Sequence, residues 1–314
     1  MYQKRTGFRL LGSKKPHPKM DAQHADLQDT GEFVRHNYGE GVYILNSTFA
    51  LSAVAELGRL PPGHPGLYEK TEALALVLMQ KVVDREFRPV HAKVRTSMAD
   101  FYPEEDVAYR GKLAPPTVPL CLVEIPRAGT RTTLAAEKVL RLVIDYSTVW
   151  LDHHPSQRLV DGKGQAVATA RGQQKVSGRP LDNTKMIVFD PMFARGESAV
   201  GAVDYYWEQR KEFGFPIEEN IIFVGFIGTP ESIRTIRKRF PKAKVYFVRL
   251  DRGRSSSRVL KSVPGTYPKE EKGLTNDKKS RSYIYPGGGG MGEKLSNCFN
   301  AEVCVHVQHD KRAR

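Results

Sequence analysis

The stretch MIVFDPMFARGES, residues 186–198, decides the fold. Its first four residues, Met186 to Phe189, are apolar and too few to make a helix turn twice, so they read as a short buried strand. The strand delivers Asp190 and then a small-residue turn, Ala194 to Ser198, at the mouth of a segment whose apolar spacing predicts a helix over residues 199–213. Backbone N–H groups at a helix N-terminus point outward without partners and carry roughly half a positive charge, which suits a phosphate. A carboxylate placed just before them suits sugar hydroxyls. The same residues also suit an ordinary strand-to-helix turn in which Ser198 caps the helix.

The neighbouring segments repeat the pattern. Upstream, PLCLVEI (residues 119–125) is a second apolar strand that feeds PRAGT (126–130) and a helix expected over 133–144. Downstream, IIFVGFI (221–227) passes through GTPES into a helix over 233–240, and KVYFVRLD (244–251) closes the series. Before all of these lie a strand VYIL (42–45) and an amphipathic helix over 67–85. Strands alternating with helices predict an α/β fold, a mostly parallel sheet flanked by helices, with ligands at the carboxyl ends of the strands. We therefore expect a basic N-terminal extension, residues 1–40, followed by one α/β domain over 41–314. Residues 157–183 and 252–281 are crowded with Gly, Ser, Lys and Arg, and are expected to be long mobile loops, either covers for a site or simple disorder.

Composition narrows the setting. The chain has 314 residues, 49 Lys+Arg against 35 Asp+Glu, and a net charge of +14, which favours an anionic partner. That charge suits a phosphorylated small molecule or nucleic acid, and no aromatic-interleaved recognition module singles out the latter. Cys121, Cys298 and Cys304 are odd in number and lack C-x-x-C spacing, which argues against a zinc site or a disulfide framework and for a reducing, cytoplasmic setting. The apolar run at 221–228 is too short to span a bilayer, and the polar start MYQKRTGFRLLG lacks the apolar core of a secretory signal.

Taken in order, PRAGT, DPMFARGES, GTPESIRTIRKRFP and YIYPGGGGMGEKL (283–295) resemble the uracil phosphoribosyltransferase family over roughly residues 42–295. The resemblance implies a phosphoribosyltransferase fold, a homodimer, and transfer of a phosphoribosyl group from phosphoribosyl pyrophosphate to uracil or a uracil-like base. Mg²⁺ would be carried mainly by the substrate phosphates. It also implies roles by position. Arg127 would face the leaving pyrophosphate and Asp190 the ribose. Ala128, Gly129 and Thr130, with Ala194, Arg195, Gly196, Glu197 and Ser198, would hold phosphate. Tyr283, Ile284, Gly289, Gly290, Met291 and Glu293 would hold the acceptor.

Several departures fall on these positions. The family has Thr and a second Gly where this chain has Arg195 and Glu197, and Asp where it has Gly290. A carboxylate ~4 Å from a phosphate costs about 4 kcal/mol at an effective dielectric near 20. Arg195 is a planar donor able to offset that charge or clamp the ligand, while Glu197 also suits a solvent-facing place in a helix first turn. The family's arginine after the RAG helix has no counterpart in TVWLDHHP (148–155), where His153 and His154 stand either as donors, as ligands with Asp152, or as solvent-facing residues. The glycines 287–290 permit positive φ and close backbone approach to a flat ligand, and Met291 adds bulk beside them, so a base other than plain uracil fits the reading. A non-catalytic nucleotide- or RNA-binding protein on this fold, and a transferase with a different donor or acceptor, are the alternatives.

Overall fold

The computed structural model describes residues 31–126, 128–144, 149–153, 156–160, 166–171, 184–208, 217–275 and 283–295. Strands β1 (Val42–Ile44), β4 (Leu120–Glu124), β5 (Val149–His153), β8 (Lys185–Phe189), β10 (Ile221–Gly228) and β11 (Lys244–Leu250) form a parallel sheet in the order β1-β11-β10-β8-β4-β5. A two-residue strand, β9 (Met192–Phe193), joins the same sheet beside β10.

All eight residues of β10 and all five of β4 are buried, because helices cover both faces of the sheet. Helices α1 (Thr48–Arg59), α2 (Gly66–Glu86) and α3 (Ala128–Leu140) lie on one face, where Val54, Leu78 and Ala136 meet Leu122, Ile187, Val224 and Val248. Helices α4 (Glu197–Glu208) and α5 (Pro230–Arg239) cover the other, where Val203, Ile233 and Ile236 meet Val123, Val188, Phe223 and Phe247. Neighbouring strand residues thus send side chains to opposite cores, the period-two alternation of a pleated strand.

The expected strands and the helix in α2 are present, and α3 and α4 begin earlier than apolar spacing suggested. Thr132 and Thr133 are polar but fully buried, and their hydroxyls donate to Phe189 O at 3.3 and 3.4 Å, so the N-terminal half of α3 is fixed by hydrogen bonds rather than by apolar periodicity. For α4, residues 209–213 lie outside the described residues. Sequence reasoning passed over α1, although Ser47 caps it and Ala50, Val54 and Leu57 form its buried stripe. It also passed over the antiparallel hairpin β2 (Val90–Arg95) and β3 (Ala108–Leu113), which is largely exposed and so carries no core pattern.

Both expected mobile loops require correction. Across the first stretch, β6 (Ser156–Val160) and β7 (Ala166–Arg171) pair antiparallel; residues 161–165, 172–183 and, in the second stretch, 276–281 lie outside the described residues. Residues 252–275 are folded around a buried ion pair, with a short helix α6 (Ser257–Leu260). The Arg252 guanidinium, 1 % exposed, donates to Glu271 at 2.9 Å and to the carbonyls of Val259, Leu260 and Ser262 at 3.4, 3.2 and 3.2 Å. Glu271, itself fully buried, also accepts from the Gly265 N–H at 2.8 Å and from the Tyr38 hydroxyl. Burial, with the Glu271 carboxylate beside it, pushes the Tyr38 hydroxyl far above the usual tyrosine range, so it remains a donor. Of the N-terminal forty residues, 31–40 are described, and Val34 is buried against the core while Tyr38 reaches this network.

Removing one partner of a buried pair leaves an uncompensated charge, which costs roughly 3–5 kcal/mol. Glu271→Ala is therefore expected to lower unfolding stability by about that amount in urea titrations. Glu72→Ala, which breaks the exposed pair with Lys138, should cost at most about 1 kcal/mol. Equal losses in the two variants would contradict the assignment of Arg252 and Glu271 as a polar core.

Candidate active site

The strand order locates the site before any side chain does. From β4 the chain passes through α3 to β5 on one side, whereas β8 lies on the other side of β4. Helix α3 after β4 and helix α4 after β8 lie on opposite faces of the sheet. The connections therefore part between β4 and β8, and open α/β sheets bind ligands in the crevice at such a switch point, outside the carboxyl ends of the strands.

Two expected phosphate segments meet there. Ala128, Gly129 and Thr130 open α3, and a Cβ on Gly129 would stand 3.1 Å from Phe189 O, so the helix start lies directly on the end of β8. The Thr130 hydroxyl donates to the carboxylate of Glu124, a buried acid at the end of β4 that the sequence reading did not single out. Its signal was present as the lone acid in an apolar run. Arg127 lies outside the described residues.

Asp190 follows β8 directly. Its N–H donates to Val224 O at 3.1 Å, and its Oδ1 accepts from the Met192 N–H at 3.4 Å. The Ala194 carbonyl accepts from the Thr229 hydroxyl at 2.5 Å, which ties the turn to the start of α5. Gly196 has φ +79°, and a Cβ there would stand 3.2 Å from Ser232 Cα, so glycine is required both by conformation and by space. Glu197 is exposed at the first position of α4, where the helix dipole favours a carboxylate; Arg195 is exposed and Ser198 half-buried beside it.

The expected acceptor segment is sewn to the end of β11. Asp251, fully buried, receives both prongs of Arg249 at 2.7 and 2.8 Å and the Gly287 N–H at 2.7 Å, while Arg249 also donates to Gly287 O at 2.9 Å. The Tyr285 N–H donates to Gly273 O at 2.8 Å, and Tyr285 O accepts from the Gly253 N–H at 3.1 Å. Gly287 and Gly289 have positive φ, and the Tyr285–Pro286 bond is cis. Tyr283 and Tyr285 are exposed, with the Arg254 guanidinium 5.7 Å from the Tyr285 ring centroid. Gly289 and Gly290 are exposed.

Not every expected acceptor residue faces outward. Ile284 and Met291 are buried in the core among Ile227 and Leu295, so Met291 supports the loop from beneath and its bulk does not project outward. The Glu293 side chain lies outside the described residues, as do those of Asp152 and His153, and His154 altogether. Asp251 and Arg249 were missed by sequence reasoning, because each acts through backbone groups of a loop some 36 to 38 residues away.

A parallel sheet covered by helices on both faces, with a strand-order switch between β4 and β8, defines an open α/β protein. Comparison with known proteins narrows the class. The family model for uracil phosphoribosyltransferase matches residues 64–266, and the chain belongs to that family. It is 32% identical over 136 residues to a uracil phosphoribosyltransferase of Paraburkholderia xenovorans, covering 43% of this chain and 60% of that one. It is 34% identical over 80 residues to the enzyme of that name from Thermococcus sibiricus, covering 26% and 31%. These matches span 31% to 60% of the relatives' length. Among solved structures, the AQ2163 protein from Aquifex aeolicus shares the fold with TM-score 0.57 and 16% identity, over 82% of this chain and 98% of that one.

If Asp251 fastens the glycine loop, Asp251→Ala should speed amide hydrogen exchange across residues 284–290 by about tenfold or more, the effect of losing hydrogen bonds to a charged group. Exchange in β10 should be unchanged. Uniform acceleration through the sheet would instead mean that Asp251 supports the fold at large.

Proposed function

We propose that this chain transfers a phosphoribosyl group from phosphoribosyl pyrophosphate to uracil or a uracil-like heterocycle, releasing pyrophosphate. The observation that carries the reading is the start of α3 lying on the end of β8 at the β4–β8 crevice, where Asp190 and the turn into α4 follow that strand directly. The C1–oxygen bond to pyrophosphate breaks and a bond from the acceptor ring to C1 forms, through a cation-like sugar. Catalysis then rests on positioning and on charge stabilisation.

In this reading residues 194–198 and the start of α4 hold the 5-phosphate, and Asp190 accepts from the ribose hydroxyls. Ala128, Gly129 and Thr130 at the start of α3 receive the pyrophosphate, with Arg127 as its clamp. The glycine loop presents backbone groups to the acceptor edge, with Tyr283 and Tyr285 as its shoulder. Mg²⁺ would neutralise the leaving pyrophosphate. Of the acids at the carboxyl ends of β4 and β8, Glu124 is buried and engaged by Thr130 and Asp190 is assigned to the ribose, so substrate oxygens and water would be the main ligands of the ion.

A cytoplasmic homodimer is the form this reading takes. Val94, Phe101 and Tyr109, exposed on and beside the β2–β3 hairpin, are apolar surface that a second copy would cover. No described helix is long and apolar enough to cross a membrane.

Pyrophosphate release from phosphoribosyl pyrophosphate with Mg²⁺ is expected with uracil or one member of a panel of related heterocycles. Asp190→Asn should lower turnover by roughly 100-fold or more, because it removes charge stabilisation at the ribose. Its thermal midpoint should stay that of the wild type. Release by the variant at the wild-type rate would remove Asp190 from the site, and binding without release under any acceptor would assign a non-catalytic role.

A further inference from the structure

The glycine loop has few side chains of its own, so something outside it must fix its position. Asp251 and Arg249 hold the Gly287 side. The Gly288 side is held by Lys294, from helix α7 (Met291–Leu295). Its Nζ donates to Gly288 O at 3.0 Å, to Gly58 O at 2.5 Å and to Leu57 O at 3.4 Å.

Leu57 and Gly58 lie in the last turn of α1, where the final carbonyls have no partner within the helix and form the negative end of its dipole. One ammonium thus caps α1 and grips the loop. Burial alone holds the Lys294 pKa below the usual lysine range, and no carboxylate accepts from its Nζ among the described residues. Its donors are therefore committed to main-chain carbonyls. The helix end is also shaped for this contact, since a Cβ on Gly58 would stand 3.3 Å from Gly288 Cα.

We propose that Lys294 is a positioning residue for the acceptor: it rivets the glycine loop to the C-terminal end of α1, so that helix and loop hold the acceptor as one rigid unit. The kinetic consequence rests on the transferase reading; the rivet itself does not.

Lys294→Met keeps the length and apolar stem of the side chain and removes its donors. Amide exchange over residues 284–290 is expected to rise about tenfold or more, the cost of hydrogen bonds to a charged group. With turnover measured, the acceptor KM should rise by about tenfold while kcat at saturation and the KM for phosphoribosyl pyrophosphate stay within roughly twofold, the signature of lost ground-state positioning. Unchanged exchange over 284–290 would overturn the proposal whatever the kinetics, and equal losses in kcat and both KM values would reduce Lys294 to a general support of the fold. If the wild type itself releases no pyrophosphate, the transferase reading fails and exchange alone decides the rivet. Should Lys294→Met not fold, Gly58→Ala tests the same junction by pressing on Gly288; wild-type exchange over 284–290 in that variant would contradict it.

Discussion

Pro191 O accepts from the N–H groups of both Phe226 and Ile227, at 3.2 and 3.0 Å, and the turn over residues 190–198 hangs from that contact. Strand β8 pairs with β10 up to Phe189 opposite Val224, and β9 resumes with Met192 opposite Ile227. Asp190 and Pro191 are thus a short interruption in one line of strand pairing, held at both ends by ladder hydrogen bonds. Backbone so constrained can place a carboxylate and the start of a helix against a ligand without paying for their ordering at each turnover. Substitutions that loosen β10 should for this reason be felt at Asp190 before they are felt elsewhere in the sheet.

A second constraint governs the glycine loop. The polar segment after β11 is organised by Arg252 and Glu271 and reaches the glycine loop through Gly253 and Gly273. It therefore serves as a footing beneath the glycine loop, and Tyr38 of the N-terminal segment closes the same network. A chain that fixes its glycine loop from three directions, through Asp251, this segment and Lys294, commits it to one shape. Rigid backbone recognition of a flat ligand needs such commitment, because glycines offer no side chains to adapt.

The legible parts of the sequence were those where burial is apolar. Residues 221–227 and 186–189 are continuous apolar runs because both faces of a parallel sheet are covered, and the loops that follow them showed their helix-start chemistry directly. Three kinds of structure escaped. The hairpins β2–β3 and β6–β7 pair main chain to main chain and leave little trace in hydropathy. The 252–275 segment is built on a buried ion pair, which composition alone presents as charged loop. Lys294 and Asp251 hold backbone groups brought near only by the fold, so spacing along the chain could not announce them, whereas Glu124 stood out only as a lone acid in an apolar run. Met291 illustrates the converse: its neighbourhood was identified, but its direction, into the core, is set by the Ile227 and Leu295 side chains.

The claim that most needs testing is that the β4–β8 crevice is where phosphoribosyl pyrophosphate binds. Amide hydrogen exchange with and without that ligand, in Mg²⁺, locates binding independently of turnover. The account predicts protection concentrated at the start of α3, residues 128–133, and across residues 190–200. Protection confined to other parts of the chain, or none at saturating ligand, would contradict it.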